Sequence, residues 1–593
     1  MKCLCPLALI LLIFLPQTLP ADSVQIRNII VTGNEAFASE VILDLMQSKA
    51  GGDYDPELLH QDFGRIASLY QEHGFQFARV DPEQLVLLEF ADGVYIRIYI
   101  DEGRIGRIII RGNSRTKTDV IRQELLFERG DVYIQDDELE SERILRRKPY
   151  LGSAEILATR DPETSLILIE VEVTDLWTFF PALDVPAFSK DKTGVLVALS
   201  DSNVFGSGDS GRLRYEQIRE EGEEPRHLIS GLYKVFRLFD SHWEFDGVYT
   251  QKREGVSWEA SLKRPLYSLQ TRWSAGFTAS ESADEIRWYE HGVKTDVFER
   301  SGQSESGNIT RSFGDRRRQT WITLWATSQR THFKPIDFDR VEDVPPSTAN
   351  FQDRNTKMVG ISLGHRKVNF IRTRFLNKMG RVEDIGTGYG YSVSIGRASP
   401  FYGSERREAQ VDLSFSVSQA YQDLFFLNCL AGLTTRFIAN EEEDSIFQAS
   451  IKAVHKNLFL RQTLAARIFT DMQFGFEGER QVLRGGNSGL RGYNPRQFSG
   501  TKSILLNVES RTIFWEHPLV VVGSAIFADI GYIWKGETFD IGTPKRSVGF
   551  GLRLGLPKLS GSRVYRADLA YPLDGSEKPS LIPVFTYAIG HTF

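Results

Sequence analysis

The stretch S-L-I-P-V-F-T-Y-A-I-G-H-T-F, residues 580–593, decides the fold prediction for this chain. Its side chains alternate, with the large residues Phe585, Tyr587, Ile589 and Phe593 on one parity and small or weakly polar residues on the other. Successive side chains of a β-strand point to opposite faces, so the pattern predicts a strand with one large apolar face. A soluble sheet can show this pattern, whereas a transmembrane β-barrel requires it.

The same alternation recurs upstream in the segments 504–511, 548–555 and 565–571, and within each segment the charged residues share one parity. An Arg or Lys on the lipid face costs about 2–4 kcal/mol near the midplane, so the charged parity is predicted to face the lumen. At about 10 residues per spanning strand plus turns and long loops, residues 176–593 are predicted to form an all-β transmembrane barrel of about 16 antiparallel strands. The strands of a soluble β-sandwich also alternate, with polar side chains toward water and apolar side chains toward a core, which is nearly the mirror image of a barrel. Alternation alone therefore does not distinguish a barrel from a sandwich.

The N-terminus has the outline of a secretory signal peptide over residues 1–21. Lys2 precedes an apolar run from Leu4 to Leu15, and Leu19-Pro20-Ala21 resembles a cleavage site. The run is shorter than the roughly 20 residues that a membrane-spanning helix needs. We therefore expect an exported protein, for which a soluble secreted chain is the alternative. Only Cys429 then remains, so no internal disulfide is expected.

Charge and motifs exclude several classes of function. The formal net charge is −7, from 71 basic and 78 acidic residues, which gives no nucleic-acid footprint. No P-loop, G-x-S-x-G, H-E-x-x-H or C-x-x-C pattern occurs, and the His residues show no metal-ligand spacing. The tetrapeptide Gly208–Gly211 matches the surroundings of a serine nucleophile, but no histidine motif accompanies it. We expect no enzymatic activity, no cofactor and no metal.

The front of the chain is a repeat with an offset of 79 residues. The segment Ile29–Asn34 matches Ile108–Asn113, and each is a β-branched strand that a Gly-Asn pair terminates. Helical spacing, a second helix and alternating strands follow in both copies. The second helix is predicted over 56–72 in the first copy and about 136–147 in the second. Each copy therefore reads β-α-α-β-β, a small α+β domain.

This order resembles POTRA domains, the periplasmic modules of the Omp85 superfamily. Downstream, Leu490-Arg491-Gly492-Tyr493 resembles the loop motif of that superfamily, and Phe527-Ala528-Asp529-Ile530-Gly531 matches its strand motif. The chain is thus similar to Omp85 proteins of the surface antigen D15 type, among them barrel-assembly and translocation-and-assembly subunits. The resemblance implies a signal peptide at 1–21, POTRA domains at 22–102 and 103–175, and a barrel at 176–593.

The resemblance also implies an anchored loop inside the barrel. Arg491 offers a planar fork that a carboxylate can meet at two points, and Asp529, with Glu509 as a second candidate, would supply that carboxylate. Gly492 would let the loop approach the wall closely, and Tyr493 would pack against it. Phe527 and Gly531 would share the lumen parity with Asp529. These residues, together with the C-terminal strand, are the expected functional positions.

The function that the resemblance implies is insertion or translocation of other polypeptides at the outer membrane of a Gram-negative-type bacterium, with the POTRA domains in the periplasm. Expected partners are unfolded outer-membrane or secreted clients and outer-membrane lipids, with accessory lipoproteins or an inner-membrane protein as further candidates. Two POTRA domains also match two-partner secretion transporters, although no plug helix is evident before Val24. A passive channel, or an adhesin that uses loops such as 280–306, remains a further alternative.

Overall fold

The computed structural model describes residues 24–184, 188–189, 192–220, 224–290, 292–336, 349–438, 441–458, 461–475, 480–536, 542, 544–561, 564–574 and 583–590. The chain divides into two compact units. The first comprises Met1–Ile109, Leu125–Ser141 and Ile156–Val171, and the second comprises Ile110–Glu124, Glu142–Glu155 and Glu172–Phe593. Among the described residues, no helix has both the length and the apolar character needed to cross a bilayer. The predicted signal peptide at 1–21 and the terminal Phe593 lie outside the described residues.

The first α+β domain has a sheet covered by two helices. Its elements are β1 (Ile26–Thr32), α1 (Ser39–Leu45), α2 (Pro56–Glu72), β2 (Arg79–Val80), β3 (Val86–Phe90) and β4 (Gly93–Asp101). Strand β4 is central, because it pairs in parallel with β1 and antiparallel with β2 and β3. The apolar stripe of α2, including Leu59, Ile66 and Tyr70, is buried in one core with Ile96 and Ile98 of β4.

The second domain repeats this order. Its elements are β5 (Ile105–Arg111), α3 (Thr118–Arg122), α4 (Gln135–Arg147), β6 (Leu151–Arg160) and β7 (Ile167–Asp175), with the sheet order β5-β7-β6. The repeated Gly-Asn pair has a steric cause. Gly33 and Gly112 have φ of +82° and +84°, and a Cβ would lie 2.3 Å from the carbonyl oxygen of Ile100 and 2.0 Å from that of Val173.

The rest of the chain forms a closed antiparallel barrel. Its first strand has two described segments, β8 (Phe179–Asp184) and β9 (Phe188–Ser189), which both pair with β10. The strands that follow are β10 (Lys192–Asp201), β11 (Ser210–Glu220), β12 (Arg226–Val235), β13 (Glu244–Lys252), β14 (Gly255–Arg264), β15 (Trp273–Glu290), β16 (Val293–Gly314), β17 (Arg318–Ile336), β18 (Arg354–Arg374), β19 (Val382–Ala398), β20 (Glu408–Tyr421), β21 (Phe425–Ile438), β22 (Glu441–His455) and β23 (Gln462–Phe474). A loop with the short strands β24 (Val482–Arg484) and β25 (Phe498–Gly500) precedes β26 (Lys502–Glu516), β27 (Val521–Trp534), β28 (Lys545–Gly555), β29 (Val564–Pro572) and β30 (Val584–Ile589).

The predicted architecture, α+β domains followed by an antiparallel barrel, is confirmed. With β8 and β9 counted as one strand, the described residues form twenty barrel strands, against the expected number of about sixteen. The estimate reserved too many residues for loops, whereas many described hairpin connections are short. The segment 280–306, expected to be a long loop, is instead strand on both sides of the β15–β16 hairpin.

Side-chain orientation follows the predicted parity. Phe585, Tyr587 and Ile589 face outward and are 61%, 41% and 46% exposed, whereas Arg553 and Asp568 of the neighbouring strands are buried. The connections 202–209, 236–243, 265–272, 315–317 and 375–381 lie at one end of the barrel, because up and down strands alternate. Residues of the second α+β domain contact this end, for example Lys117 at Gly206. We call it the proximal end, and the opposite end distal.

Candidate functional site

The loop between β23 and β26 folds back into the barrel. Strands β24 and β25 form a two-stranded hairpin, with Val482 opposite Gly500. Beyond this hairpin the backbone of Gly486 donates to the carbonyl oxygen of Tyr493 at 3.0 Å, which closes the tip. Leu490 and Tyr493 of the tip form a small apolar core with Leu505 of the wall. The tip is therefore a folded element that packs against the inner wall.

Arg491 at this tip is fully buried and is held by carboxylates of the wall. Its Nε and Nη2 each donate to Asp529 at 2.8 Å, and its Nη1 donates to Glu509 at 2.5 Å. The backbone N–H of Arg491 also donates to Asp529, at 3.2 Å. The arrangement is the two-point fork that a guanidinium and a carboxylate form best. Its carboxylates come from β26 and β27, so the loop tip is tied to two adjacent strands.

The charged group extends across β28 and β29. Asp568 lies 3.5 Å from Arg491 and accepts from Arg553 at 2.5 Å and from Arg566 at 2.9 Å. Arg511 donates to the second oxygen of Glu509 at 2.8 Å. We call this set the anchor cluster, which consists of Arg491, Glu509, Arg511, Asp529, Arg553, Arg566 and Asp568. Its four cations and three anions are at most 7% exposed, so the three anions offset most of the positive charge in place of water.

Aromatic and small residues shape the space around Arg491. Its guanidinium lies 3.4 Å from the ring centroid of Phe527, a cation–π contact. That ring fits because Gly549 has no side chain, since a Cβ there would lie 2.4 Å from the ring of Phe527. Gly531 in turn makes room for Leu490, whose methyl groups would lie within 2.8 Å of a Cβ.

Gly492 and Tyr493 complete the contact with the wall. Gly492 has φ of +88°, and a Cβ there would lie 3.1 Å from the Cβ of Ser547. The hydroxyl of Tyr493 donates to the carbonyl oxygen of Arg546 at 2.9 Å and also to Asp574. The backbone at Gly492, between Arg491 and Tyr493, therefore has a conformation that favours glycine.

The structure brings all seven predicted loop and strand-motif residues to one place. Sequence reasoning named Arg491, Gly492, Tyr493, Asp529 and Glu509 as the anchor, with Phe527 and Gly531 beside it. It did not assign Arg511, Arg553, Arg566 or Asp568 to the site, although their shared parity marked them as lumen-facing. It also missed Asn507, which donates to Asp529 at 2.8 Å.

The same loop reaches the last strand. Asn487 accepts from Arg566 at 2.9 Å and donates to the backbone carbonyl oxygen of Tyr587 in β30 at 3.0 Å. The side chain of Asn487 thus links the loop tip to the last strand. The described residues contain no group of three or more His, Cys, Asp or Glu placed to hold a metal.

A second polar contact joins residues 142–155 to the proximal end of the barrel. Nε and Nη2 of Arg146 donate to Asp384 of β19, both at 2.8 Å. Glu142 lies beside this pair, 3.2 Å from Arg146, and also accepts from Arg372 of β18. Arg381 donates to the carbonyl oxygen of Leu151 at 2.7 Å. Because the Arg146 and Asp384 side chains are only 7% and 10% exposed, this contact is largely shielded from solvent.

A third contact involves the residues after α3. Glu124 is buried between Lys148, at 2.6 Å, and Arg237 of the β12–β13 connection, at 3.2 Å. Burial acts to raise the pKa of Glu124, but the two cations outweigh it and hold the pKa below its ordinary value. Glu124 is thus a carboxylate that links the α3 segment to a barrel turn at neutral pH.

A family model matches the two repeats at the front of the chain. The POTRA model, described as surface antigen variable number repeat, matches residues 24–103 and again 104–174. Behind these two repeats the chain closes a barrel that holds a loop by the R-G-Y and F-x-D-x-G motifs. The chain has two POTRA domains. Known Omp85 proteins are outer-membrane proteins whose POTRA domains lie in the periplasm.

A curated relative matches part of this chain. It is a putative outer membrane protein assembly factor of Treponema pallidum (strain Nichols), 27% identical over 131 residues. The match spans 21% of this chain and 15% of the relative.

Two of the solved structures that resemble this chain align with nearly all of it. CdiB from Escherichia coli is 13% identical with a TM-score of 0.47, and the alignment covers 97% of this chain and 92% of CdiB. BamA from Haemophilus ducreyi lacking POTRA domains 1–3 is 14% identical with a TM-score of 0.34, over 96% of this chain and 99% of that structure.

Proposed function

We propose that this chain is an Omp85-superfamily protein that lies in the outer membrane, captures unfolded polypeptides with its POTRA domains, and inserts them into the membrane or passes them across it. The observation that carries the proposal is the loop tip at Arg491, which is fixed inside a barrel that follows two POTRA domains. The proposed mechanism positions extended chains by hydrogen bonds and requires no covalent chemistry, so no enzymatic activity is proposed.

Client capture is proposed at strand β3 of the first POTRA domain. Among the described residues β3 pairs with β4 alone, so its outer backbone groups are open to a further strand. Its side chains Leu87, Leu88 and Phe90 are 39%, 50% and 59% exposed. An edge strand with three exposed apolar side chains suits strand addition, in which backbone hydrogen bonds supply affinity and side chains add apolar contact.

Transfer to the barrel is proposed at the first and last strands. The loop tip lies beside β28 and β29, and Asn487 binds the backbone of β30, which neighbours β8 where the barrel closes. A client strand that enters between β30 and β8 would therefore pair with the edge of β30. The anchor cluster would hold the strands next to β30, namely β28 and β29, in place. The loop would hold one side of the opening fixed while the other side moves.

The capture step is tested by a photo-crosslinking amino acid at position 88 in cells that express the full-length protein. We expect crosslinks from position 88 to newly exported barrel or secreted polypeptides. Val41 is the control position, because it is also apolar and 48% exposed but lies on α1 of the same domain. Equal crosslinking from positions 88 and 41 would argue against capture at β3.

Three alternatives predict other results. A dedicated two-partner-type transporter would crosslink to a single secreted client. A passive channel would show stable large conductance in pure lipid bilayers without any client. An adhesin would leave envelope composition unchanged when its distal connections are deleted. The exposed apolar edge of β3 favours a polypeptide-handling function over the last two alternatives.

A further inference from the structure

The proximal end of the barrel is strongly basic on one side, across β14–β18. The segments 264–275, 309–322 and 363–375 contain ten Lys or Arg residues and one acidic residue, Asp315. Some of these cations have partners, such as Arg372 with Glu142 and Arg374 with Glu516. The rim patch is defined here as the outward or turn residues Arg264, Arg272, Arg311, Arg318 and Lys367 with the rings of Trp273 and Phe313.

Strand register places the rim patch on the membrane-facing side. Arg311 is directly opposite Trp273, which is 52% exposed, and opposite Ile322 on the next strand. Lys367 is directly opposite Arg318 and also opposite Tyr389, which is 42% exposed. Directly opposed residues of paired strands share one face. Arg311, Arg318 and Lys367 therefore share the outward face with these exposed aromatic residues.

Aromatic rings and backbone carbonyl oxygens hold three of these cations in position without neutralising their charge. The guanidinium of Arg311 lies 4.6 Å from the ring centroid of Trp273 and 5.6 Å from that of Phe313. Arg264 donates to the carbonyl oxygen of Trp273 at 2.6 Å, and Arg272 donates to that of Gly314 at 2.6 Å. One guanidinium group thus lies over an exposed indole, and two others bind backbone carbonyl oxygens of Trp273 and Gly314.

No described carboxylate forms an ion pair with any of the five cations of the rim patch. Asp315, in the β16–β17 turn, instead accepts from the backbone N–H groups of Arg317 and Arg318, both at 2.7 Å. The direct opposition of Arg318 and Lys367 places like charges side by side, which is unfavourable unless an anion lies nearby. Asp315 also attracts Arg317 and Arg318 electrostatically, but it is the one acidic residue among ten basic ones in these segments, so the surface keeps an excess of positive charge.

The apolar surface starts immediately on the distal side of the rim patch. Ile309, Leu324 and Leu363 on β16–β18 face outward and are 58%, 61% and 51% exposed. Aromatic and basic side chains at the border of such a belt lie at the level of lipid headgroups. A phosphate at that level would be within reach of the guanidinium groups, while its acyl chains would cover the apolar residues.

We propose that the rim patch binds the phosphate groups of anionic phospholipids in the leaflet at the proximal end of the barrel. The proposal rests on the outer-membrane location given under the proposed function, but it does not depend on client handling. Phosphate suits several converging guanidinium groups because each offers a planar fork of donors.

The test is native mass spectrometry of the full-length protein from micelles that contain equimolar phosphatidylglycerol and phosphatidylethanolamine. The wild type should retain phosphatidylglycerol over phosphatidylethanolamine by roughly threefold or more. The variant R311Q/R318Q/K367Q should retain both lipids about equally. The matched control is R330Q/K357Q/R397Q, which removes three charges on β17–β19 at the distal end and should keep the wild-type ratio.

An equal phosphatidylglycerol preference in the two triple variants would overturn the proposal. Loss of bound phosphatidylglycerol on addition of about 10 mM inorganic phosphate would also overturn it, because the patch would then be a site for free anions. If the rim triple variant does not fold, R311Q alone should lower the ratio about twofold, and an unchanged ratio overturns the proposal. Failed crosslinking at position 88 with lipid preference intact would contradict the capture proposal only.

Discussion

The guanidinium of Arg491 meets the carboxylate of Asp529 in two hydrogen bonds of 2.8 Å, and neither side chain is exposed to solvent. The pair joins a loop tip to the middle of strand β27, 38 residues further along the chain. Removal of the loop from the wall would leave a buried carboxylate in the lumen without its main partner. Such a separation is costly, so we infer that the loop remains seated while the barrel functions.

The variant Arg491→Ala should destabilise the barrel by about 3–5 kcal/mol, because it leaves Asp529 and Glu509 without their shared cation. Arg491→Lys should recover only part of this loss, since an ammonium group cannot meet a carboxylate at two points. The measurement is the temperature at which the folded, fast-migrating form is lost in semi-native electrophoresis. Arg496→Ala, an exposed change in the same loop, is the control. Equal transition temperatures for the Arg491→Ala and Arg496→Ala proteins would contradict the anchor.

Gly492→Ala should destabilise the barrel by roughly 1–3 kcal/mol, because a Cβ would be crowded against Ser547 in a backbone conformation that disfavours side chains. Gly536→Ala is a closely matched control. Gly536 has φ of +90°, almost the same as Gly492, but a Cβ there would meet no atom within 4 Å. The same electrophoretic assay should show a clearly larger shift for Gly492→Ala. Equal shifts would mean that backbone strain alone, and not contact with the wall, limits position 492.

Arg146 and Asp384 should be energetically coupled. In a double-mutant cycle with alanine at each position, we expect a coupling of about 1–3 kcal/mol, because the pair is almost fully buried. The readout is the free energy of opening of segment 142–155, from hydrogen exchange in the full-length protein. The exposed pair Asp119 and Arg122, one turn apart on α3, serves as the control and should couple by less than about 0.5 kcal/mol. Coupling of Arg146 and Asp384 at the control level would show that the contact is incidental.

The stability of the first POTRA domain should fall in acid through Asp62. Burial acts to raise the pKa of this carboxyl, but the backbone N–H groups of Gln47 and Ser48 and the guanidinium of Arg65 outweigh it and lower the pKa. Because the pKa of Asp62 is lower in the folded state, its contribution to the free energy of unfolding is complete at pH values above the pKa of the unfolded state. This contribution is lost as the pH falls through the pKa of the folded state.

Asp62→Asn should therefore reduce protection of α2 against hydrogen exchange at pH 7 and have little effect at a pH below the folded pKa of Asp62. Rates are compared after correction for intrinsic exchange at each pH. Glu57→Gln, an exposed change on the same helix, should leave protection unchanged at both pH values. A loss of protection in Asp62→Asn that is the same at both pH values would contradict a role for the ionised carboxylate.

Local sequence patterns predicted the elements that depend on neighbouring residues. The β-α-α-β-β order followed from helical spacing and from the repeated Gly-Asn pair, and α2 begins and ends at the predicted residues Pro56 and Glu72. Lumen and lipid faces followed from parity, because a strand of known orientation fixes every second residue. The pairing of Arg491 with Asp529 followed from two motifs and the resemblance that they support.

Properties that depend on how strands pair were not predictable in the same way. Asp568 and Arg553 were assigned to the lumen, but their place beside Arg491 depends on the register of four strands, which no local pattern gives. Strand number depended on an assumed loop length. The edge strand β3 was missed although Asp92-Gly93 after an apolar run is a hairpin signal.

The most direct test of the account is quantitative proteomics of the outer membrane after depletion of this protein. Polypeptide insertion predicts a broad loss of barrel proteins before cell lysis, and restoration by the wild type but not by the Arg491→Ala variant. Loss of one secreted protein with an otherwise intact membrane would indicate a dedicated transporter. An outer membrane of unchanged protein composition would contradict the central claim that this barrel handles other polypeptides.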